Sequence, residues 1–433
     1  MTSTSRSVDT DGVAAVLAGL PGWCLLRDGD VPAADAASGA ADTTGSAEPV
    51  DVDVLVDPAH LDAFVARLLG AGFVERPAWG RGSHRFFFRF EPDAGTWLKV
   101  DVLSEVAFGA AQEFVTDLAP GVVARSRGAA GPAPADDLWV LLLHCLLDRQ
   151  GRCGRHTARL GDLARAADPG HEAPAGNEAR ALVEGLLGAA GTEALLGRLR
   201  DPGFDGDLAD VAGTLRSAWT AARRTSVLAR RARALGARAA SKPATALRRR
   251  GTAVAVVGPD GAGKSSVVAA VAATYPFPVA TFYAGQYQGS VGPFAKLPGG
   301  HTLGLLVRQV VMSLRTVLHL ARGRVVLFDR YAYDSRLSRP GASVKSRARR
   351  AVLGRVALRP QRVVVLDAPG EVLHARSQEH SPEILEDQRR RYAELAATRP
   401  GWLLVDASRP ADAVRRDVTA QVWDAHHRRW RAP

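Results

Sequence analysis

The hydrophobic pattern of this chain changes period twice, and the changes divide it. Near the amino terminus, Val50-Asp-Val-Asp-Val-Leu-Val56 alternates apolar and acidic positions, the period of a half-buried strand. Trp23–Arg27 reads as another strand. Phe86–Phe90 and Trp97–Leu103 read as a further pair, joined by the turn residues Glu91-Pro-Asp-Ala-Gly95. Between these runs Leu61, Phe64, Val65, Leu68 and Leu69 recur at helical spacing over Pro58–Ala71, and Gly70-Ala-Gly72 ends the helix. From about 116 to 240 the period is helical, predicting helices over Leu138–Leu147, Thr157–Ala167, Glu178–Leu199 and Leu208–Leu235. Past Thr252 it changes again. Apolar, β-branched runs at 252–257, 279–283, 324–328, 362–367 and 402–405 alternate with helical stretches, as in a parallel sheet covered on both faces.

The predicted fold class is therefore α/β, in three parts: an α+β domain over 1–115, a helical domain and linker over 116–245, and a parallel-sheet domain over 246–433. Asp28–Pro49, rich in Gly, Ala, Ser, Asp and Pro, reads as a loop. Gly236–Arg250, with Ser241-Lys-Pro243, reads as the linker. A chain of 433 residues calls for more than one core, since one core rarely grows beyond about 250–300 residues.

Composition removes several classes. Cys24, Cys145 and Cys153 form no pattern, which excludes a disulfide scaffold and a four-cysteine zinc site and suits a reducing cytoplasm. The spacing of His144, Cys145, Cys153 and His156 fits no standard zinc pattern, so core helix positions are expected. The first residues lack a signal-peptide core, Trp139–Leu147 is too short to span a bilayer, and Leu303–Leu320 is interrupted by Arg308 and Arg315. The expectation is a cytoplasmic protein without a membrane span. The net charge of +11 is local: eleven basic residues and no acid lie in Arg216–Arg250, and nine with no acid in Ser335–Leu366. Such runs suit nucleic acid or an anionic surface. Without aromatic interleaving or a recognisable binding module they equally suit solvated helix faces.

The candidate chemistry is concentrated after the first run of the last domain. Thr252-Ala-Val-Ala-Val-Val-Gly258-Pro-Asp-Gly-Ala-Gly263-Lys264-Ser265-Ser266 is an apolar strand feeding into G-x-x-x-x-G-K-S, followed by a helical pattern. Gly258, Gly261 and Gly263 let the backbone curl so that successive N–H groups face an anion. The helix that follows adds its positive end. Lys264 would reach the β- and γ-phosphates of a nucleoside triphosphate, and Ser265 would hold Mg²⁺, with Asp260 and Ser266 lining the same loop. Lys264 is one of only five lysines in a chain that otherwise uses arginine, standing where a guanidinium fork would not fit. Further on, Gly323-Arg-Val-Val-Leu-Phe-Asp329-Arg330-Tyr331 predicts a buried strand. It delivers a carboxylate that can organise Mg²⁺ and an arginine that can clamp a phosphate.

Taken in order, Gly-Pro-Asp-Gly-Ala-Gly-Lys-Ser-Ser, Phe-Asp-Arg-Tyr and Val-Val-Leu-Asp367-Ala-Pro369, with an arginine-rich helix behind them, resemble the thymidylate kinase family over about 251–433. The resemblance implies a P-loop nucleoside monophosphate kinase-like fold. It places Asp260 near the acceptor sugar, and Asp329 and Arg330 on magnesium and acceptor phosphate. A lid between Arg376 and Tyr392 would supply a catalytic arginine, Arg376 first among Arg376, Arg389, Arg390 and Arg391. Two stretches depart from the family: Phe282–Gly289 with Pro293–Gly300, where the acceptor nucleotide would be positioned, and the basic insertion from Tyr333 onward.

In the first domain Asp51 and Asp53 project from one face of a strand, and Asp101 lies on a later strand that can pair beside it. Three converging carboxylates suit two Mg²⁺ ions. This arrangement resembles the nucleotidyltransferase fold of the polymerase-β and aminoglycoside-modifying type over about 20–110, although Gly45-Ser46 stands closer to Asp51 than that family's Gly-Ser does. The expected function is ATP- and Mg²⁺-dependent transfer of a γ-phosphoryl group to a nucleotide or another small phosphorylated or hydroxylated acceptor. The alternatives are a nucleotidyltransferase with an ATP-sensing loop domain, or a non-catalytic ATP-gated binding protein. The expected partners are ATP, an unidentified acceptor and, by self-association, a second copy.

Overall fold

The computed structural model describes residues 12–27, 50–166, 177–247, 251–285, 300–331, 333 and 356–431. The expected loop at Asp28–Pro49, including Gly45-Ser46, lies outside the described residues, as do residues 286–299 and the basic insertion beyond Tyr333. The chain forms two compact units, the first made mainly of residues up to Ser241 and the second of Lys242 onward together with Phe90–Thr96.

The first unit holds helix α1 (12–17) and a five-stranded sheet built from β1 (Trp23–Arg27), β2 (Val50–Val56), β3 (Val74–Arg76), β4 (Arg85–Glu91) and β5 (Thr96–Leu103). The strand order is β1-β2-β5-β4-β3, with β2 and β5 parallel, and a short antiparallel pair, β6 (Ala107–Phe108) and β7 (Phe114–Val115), follows it. Alternation decides what each face does. Val52, Val54 and Val56, with Leu98, Val100 and Val102, turn to Phe64 and Leu68 of α2 (Leu61–Gly70). The odd positions of β2 and β5 carry the charged residues at one end, while Leu55 joins the apolar core formed with the helices that follow.

Those helices are α3 (Ala119–Arg125), α4 (Pro134–Leu147), α5 (Thr157–Ala166), α6 (Asn177–Arg200), α7 (Ala209–Ala222) and α8 (Arg224–Leu247). The single helix expected over Leu208–Leu235 breaks at Arg223, whose backbone leaves the helical region at φ −126° and ψ 36°. The expected linker is instead helical, since α8 continues through Pro243 to Leu247. Alanine and arginine dominate this stretch and have high helix propensity, which outweighs the single proline.

The second unit is a parallel sheet of β8 (Thr252–Val257), β9 (Val279–Tyr283), β10 (Val325–Asp329), β11 (Arg362–Asp367) and β12 (Trp402–Asp406), in the order β12-β11-β8-β10-β9. Helices α9 (Lys264–Thr274) and α13 (Ala411–Arg431) cover one face. Helices α10 (Gly300–Ala321), α11 (Gly370–Ser377) and α12 (Pro382–Ala397) complete the unit, with α10 and α12 on the other face. All residues of β8 and β10 are buried, as a sheet covered on both sides requires.

Against α9 and α13 an aromatic cluster encloses His426, whose ring lies 4.7 Å from Phe277 and 5.6 Å from Trp430. The Tyr275 hydroxyl and the His426 Nδ1 are hydrogen-bonded at 2.9 Å. Burial, and then the neighbouring His427, push the His426 pKa down to about 3 from 6.5. The unfolded chain therefore takes up a proton below pH 6.5 that the folded chain refuses until about pH 3. Stability is retained above that window and falls on acidification through it, by about 1.4 kcal/mol per pH unit at most. His426→Phe is expected to flatten the fall in thermal midpoint between pH 7 and pH 5, as read by circular dichroism. An unchanged slope would assign the acid sensitivity to other groups.

Candidate phosphate-binding site

The site is assembled around the carboxyl end of β8. From this central strand the chain crosses to the edge strand β9, returns through β10 beside β8, and then passes to β11 on the other side. The strand order reverses at β8, the kind of point at which open parallel sheets place their ligands.

Gly258, Gly261 and Gly263 have φ of 149°, 85° and 83°. A Cβ on Gly258 would stand 2.6 Å from the Leu366 carbonyl oxygen, and one on Gly261 would stand 2.5 Å from that of Leu373. These two glycines are required by close backbone approach as well as by conformation. Gly263, in the left-handed region, caps α9, which starts at Lys264; the first intrahelical bond runs from the Val267 N–H to the Gly263 carbonyl. The amides of Lys264, Ser265 and Ser266 therefore precede the helical ladder, and the positive end of α9 coincides with the loop. Gly261→Ala should destabilise the second unit by about 1–3 kcal/mol through strain and contact. Thermal denaturation measures the loss, and an unchanged midpoint would show that the loop absorbs the added Cβ.

The polar side chains form one connected set. Lys264 is buried, and its ammonium donates to the Pro259 carbonyl at 2.6 Å and lies 3.8 Å from Asp260. The Ser265 hydroxyl donates to Asp329 Oδ2 at 2.6 Å. Asp329 ends β10, level with Val256, and its other carboxylate oxygen is buried without a hydrogen-bond partner. Arg330 has a left-handed backbone at φ 65°, unusual for a residue with a side chain. Its N–H donates to the Val256 carbonyl at 3.1 Å, and its guanidinium donates to Asp260 Oδ1 at 2.5 Å. The turn out of β10 thus aims Asp329 at Ser265 and Arg330 at the loop carboxylate.

The predicted Lys264, Ser265, Asp260, Asp329 and Arg330 are thereby brought together. Ser266 is exposed on the first turn of α9. Arg376 is placed differently: at the end of α11 its guanidinium donates to the Ala407 carbonyl at 2.8 Å. Arg389 bridges Glu386 at 2.7 Å and Asp367 at 3.3 Å, and these carboxylates raise its pKa while Arg389 lowers that of Glu386. Arg390 and Arg391 both pair with Asp387. The spacing of residues did not reveal His380, in the link from α11 to α12, whose Nε2 lies 3.7 Å from Asp260 Oδ2. A lone histidine between helices carries no periodic signal, and only the folded link brings it to the loop.

In the first unit Asp53 and Asp101 are direct partners across β2 and β5, while Asp51 stands level with Lys99. Lys99 donates to Asp51 at 2.6 Å, and the His84 ring lies 2.9 Å from the buried Asp101 carboxylate. Among the described residues no three His, Cys, Asp or Glu side chains are arranged to hold a metal ion. Cys145, Cys153 and His156 are buried, and His144 sits 2.8 Å from Asp148. Much of the basic run from Arg216 is engaged within this unit. Arg230 pairs with Glu105 and Arg231 with Glu113, and Arg216, Arg223 and Arg238 donate to the carbonyls of Leu147, Val115 and Ala110.

The chain matches no protein-family model and no curated protein.

Proposed function

We propose that the second unit is a P-loop phosphotransferase of the thymidylate kinase-like type, moving the γ-phosphoryl group of ATP to a small phosphorylated or hydroxylated acceptor. The observation that carries this reading is the joined pair Ser265–Asp329 beside buried Lys264, set at the point where the strand order reverses. A GTPase-type switch or a mere anion site does not call for the second pair, Asp260–Arg330, at the mouth of the same loop.

The donor set fits a hard divalent cation. Ser265 and Asp329 supply oxygens only, and Asp329 keeps one buried oxygen without a hydrogen-bond partner. When bound there, Mg²⁺ would neutralise charge on the β- and γ-phosphates. The loop amides and the amino end of α9 orient the phosphate chain, and Lys264 compensates the negative charge that grows on the leaving oxygen. Arg330 turns from Asp260 toward the acceptor side, positioning an anionic acceptor in line with the γ-phosphorus. The acceptor oxygen bonds to that phosphorus as the bond to the β-phosphate oxygen breaks, releasing ADP.

The first unit supports the nucleotidyltransferase alternative less well, because Asp51 and Asp101 each already face a basic side chain. The proposal is tested by coupling ADP release to a screen of nucleoside monophosphates, sugars and sugar phosphates. At least one acceptor is expected to raise ADP release more than tenfold over ATP alone. A flat response across all three classes would refute the proposal.

A further inference from the structure

A cavity of about 390 Å³ in the second unit lies apart from the phosphate loop. It opens on the α12 face of the sheet, beside the residues that lead into the amino ends of β11 and β12. None of Asp260, Lys264, Ser265, Asp329 and Arg330 lines it.

Its inner wall is aromatic. The Tyr333 ring stands between those of Tyr331 and Trp402, with ring centres 5.2 and 4.8 Å away. Tyr331 and Trp402 are buried in the core of the unit, so the wall is fixed from behind. The rim is pinned as well. The Tyr331 hydroxyl donates to the Leu358 carbonyl. The Gln361 N–H donates to the Ala253 carbonyl at 2.9 Å, and its side-chain oxygen accepts from the Ala253 N–H at 2.6 Å. Across the cavity the Gly401 carbonyl accepts from the Val363 N–H at 2.9 Å. A rim held in this way has little ordering cost left to meet when a ligand enters.

Charge identifies the ligand. Arg359 and Arg399 stand on the rim, and among the described residues no Asp or Glu lines the cavity. The Arg399 guanidinium lies over the Tyr333 and Trp402 rings, 5.6 and 5.4 Å from their centres. A guanidinium stacked on rings keeps its in-plane N–H donors for another acceptor. Among the described residues neither the Arg359 nor the Arg399 side chain has a hydrogen-bonding or ion-pairing acceptor. Arg362, from the same basic run as Arg359, is by contrast satisfied by Asp424 at 2.6 Å. Two guanidiniums facing one cavity without an acid match a carboxylate or a phosphate. The volume falls in the range of small-molecule pockets, about 300–1,000 Å³, which points to an organic anion and not a bare inorganic one. The aromatic wall supplies the surface against which a ring packs.

We propose that this cavity is a ligand site separate from the loop, taking a small organic acid whose ring rests against the Tyr333–Trp402 wall and whose carboxylate or phosphate is held by Arg359 and Arg399. The proposal does not depend on the second unit being a kinase.

Calorimetric titration of the full-length protein with 1-naphthoate and with phenyl phosphate tests it. Inorganic phosphate and 1-naphthylmethanol serve as the head-only and ring-only controls. At least one of the two ring-bearing anions should bind at submillimolar concentration and more tightly than either control, and which one binds better tells a carboxylate ligand from a phosphate. Arg359 is exposed, so Arg359→Gln should keep the melting point and weaken that binding roughly tenfold. Arg359→Gln combined with Arg399→Gln should abolish it, and Lys264→Ala should leave it unchanged. The proposal is overturned if neither ring-bearing anion binds, or if a control binds as tightly. It is equally overturned if binding survives in Arg359→Gln at full strength, or is lost in Lys264→Ala, which would place the anion on the loop.

Discussion

Replacing Lys264 by alanine is expected to lower ATP-dependent phosphoryl transfer by roughly a thousandfold or more, because in the proposed reaction the buried ammonium would compensate the charge growing on the leaving oxygen. Its stem is enclosed and its head folds back onto the Pro259 carbonyl at 2.6 Å, so it is held in place before any nucleotide arrives. Lys264→Arg should fail almost as badly. A planar fork cannot occupy a site shaped for a compact ammonium inside the loop. Steady-state kinetics on both variants, with a melting curve to show that the unit stays folded, check the prediction. Retention of more than a tenth of the wild-type rate in Lys264→Ala would remove the loop from the chemistry.

Asp329→Asn carries the second large effect, and its two consequences have opposite signs. The carboxylate is buried, accepts one hydrogen bond from Ser265 and keeps one oxygen without a partner. Without a cation, a buried charge so sparsely satisfied costs stability. The neutral amide should therefore raise the thermal midpoint of the nucleotide-free protein. The same change removes the anionic oxygen on which a cation would be held, and should lower turnover by roughly a hundred- to a thousandfold at fixed Mg²⁺. Melting and kinetics on one preparation read both. A variant that melts lower than the wild type, or that keeps its activity, would show that Asp329 is a structural strand-end group.

The parallel sheet was legible because strands buried on both faces must be apolar throughout, and 252–257, 324–328 and 362–367 could hardly be anything else. The loop was equally legible, since its glycines and Lys264 obey local backbone geometry. What escaped depends on partners distant in sequence. Asp51, Asp53 and Asp101 do fall on neighbouring strands, yet the register that sets Asp51 beside Lys99, and the fold that brings His84 to Asp101, appear in no periodicity. Arg376 matched a family pattern by order alone, and the ending of α11 turns it to the Ala407 carbonyl instead. On α10 the apolar residues are so many that the pattern shows a helix without showing which side is covered.

Parallel single-turnover reactions with [γ-³²P]ATP and [α-³²P]ATP, run with every acceptor of the screen, separate the two chemistries. If the second unit is the phosphotransferase described here, the γ-label moves to the acceptor, the α-label stays in ADP, and both outcomes disappear in Lys264→Ala. If instead the α-label moves to the acceptor, the γ-label leaves in pyrophosphate, and the reaction survives Lys264→Ala but not Asp53→Ala, the chemistry belongs to the first unit and not to the loop of the second.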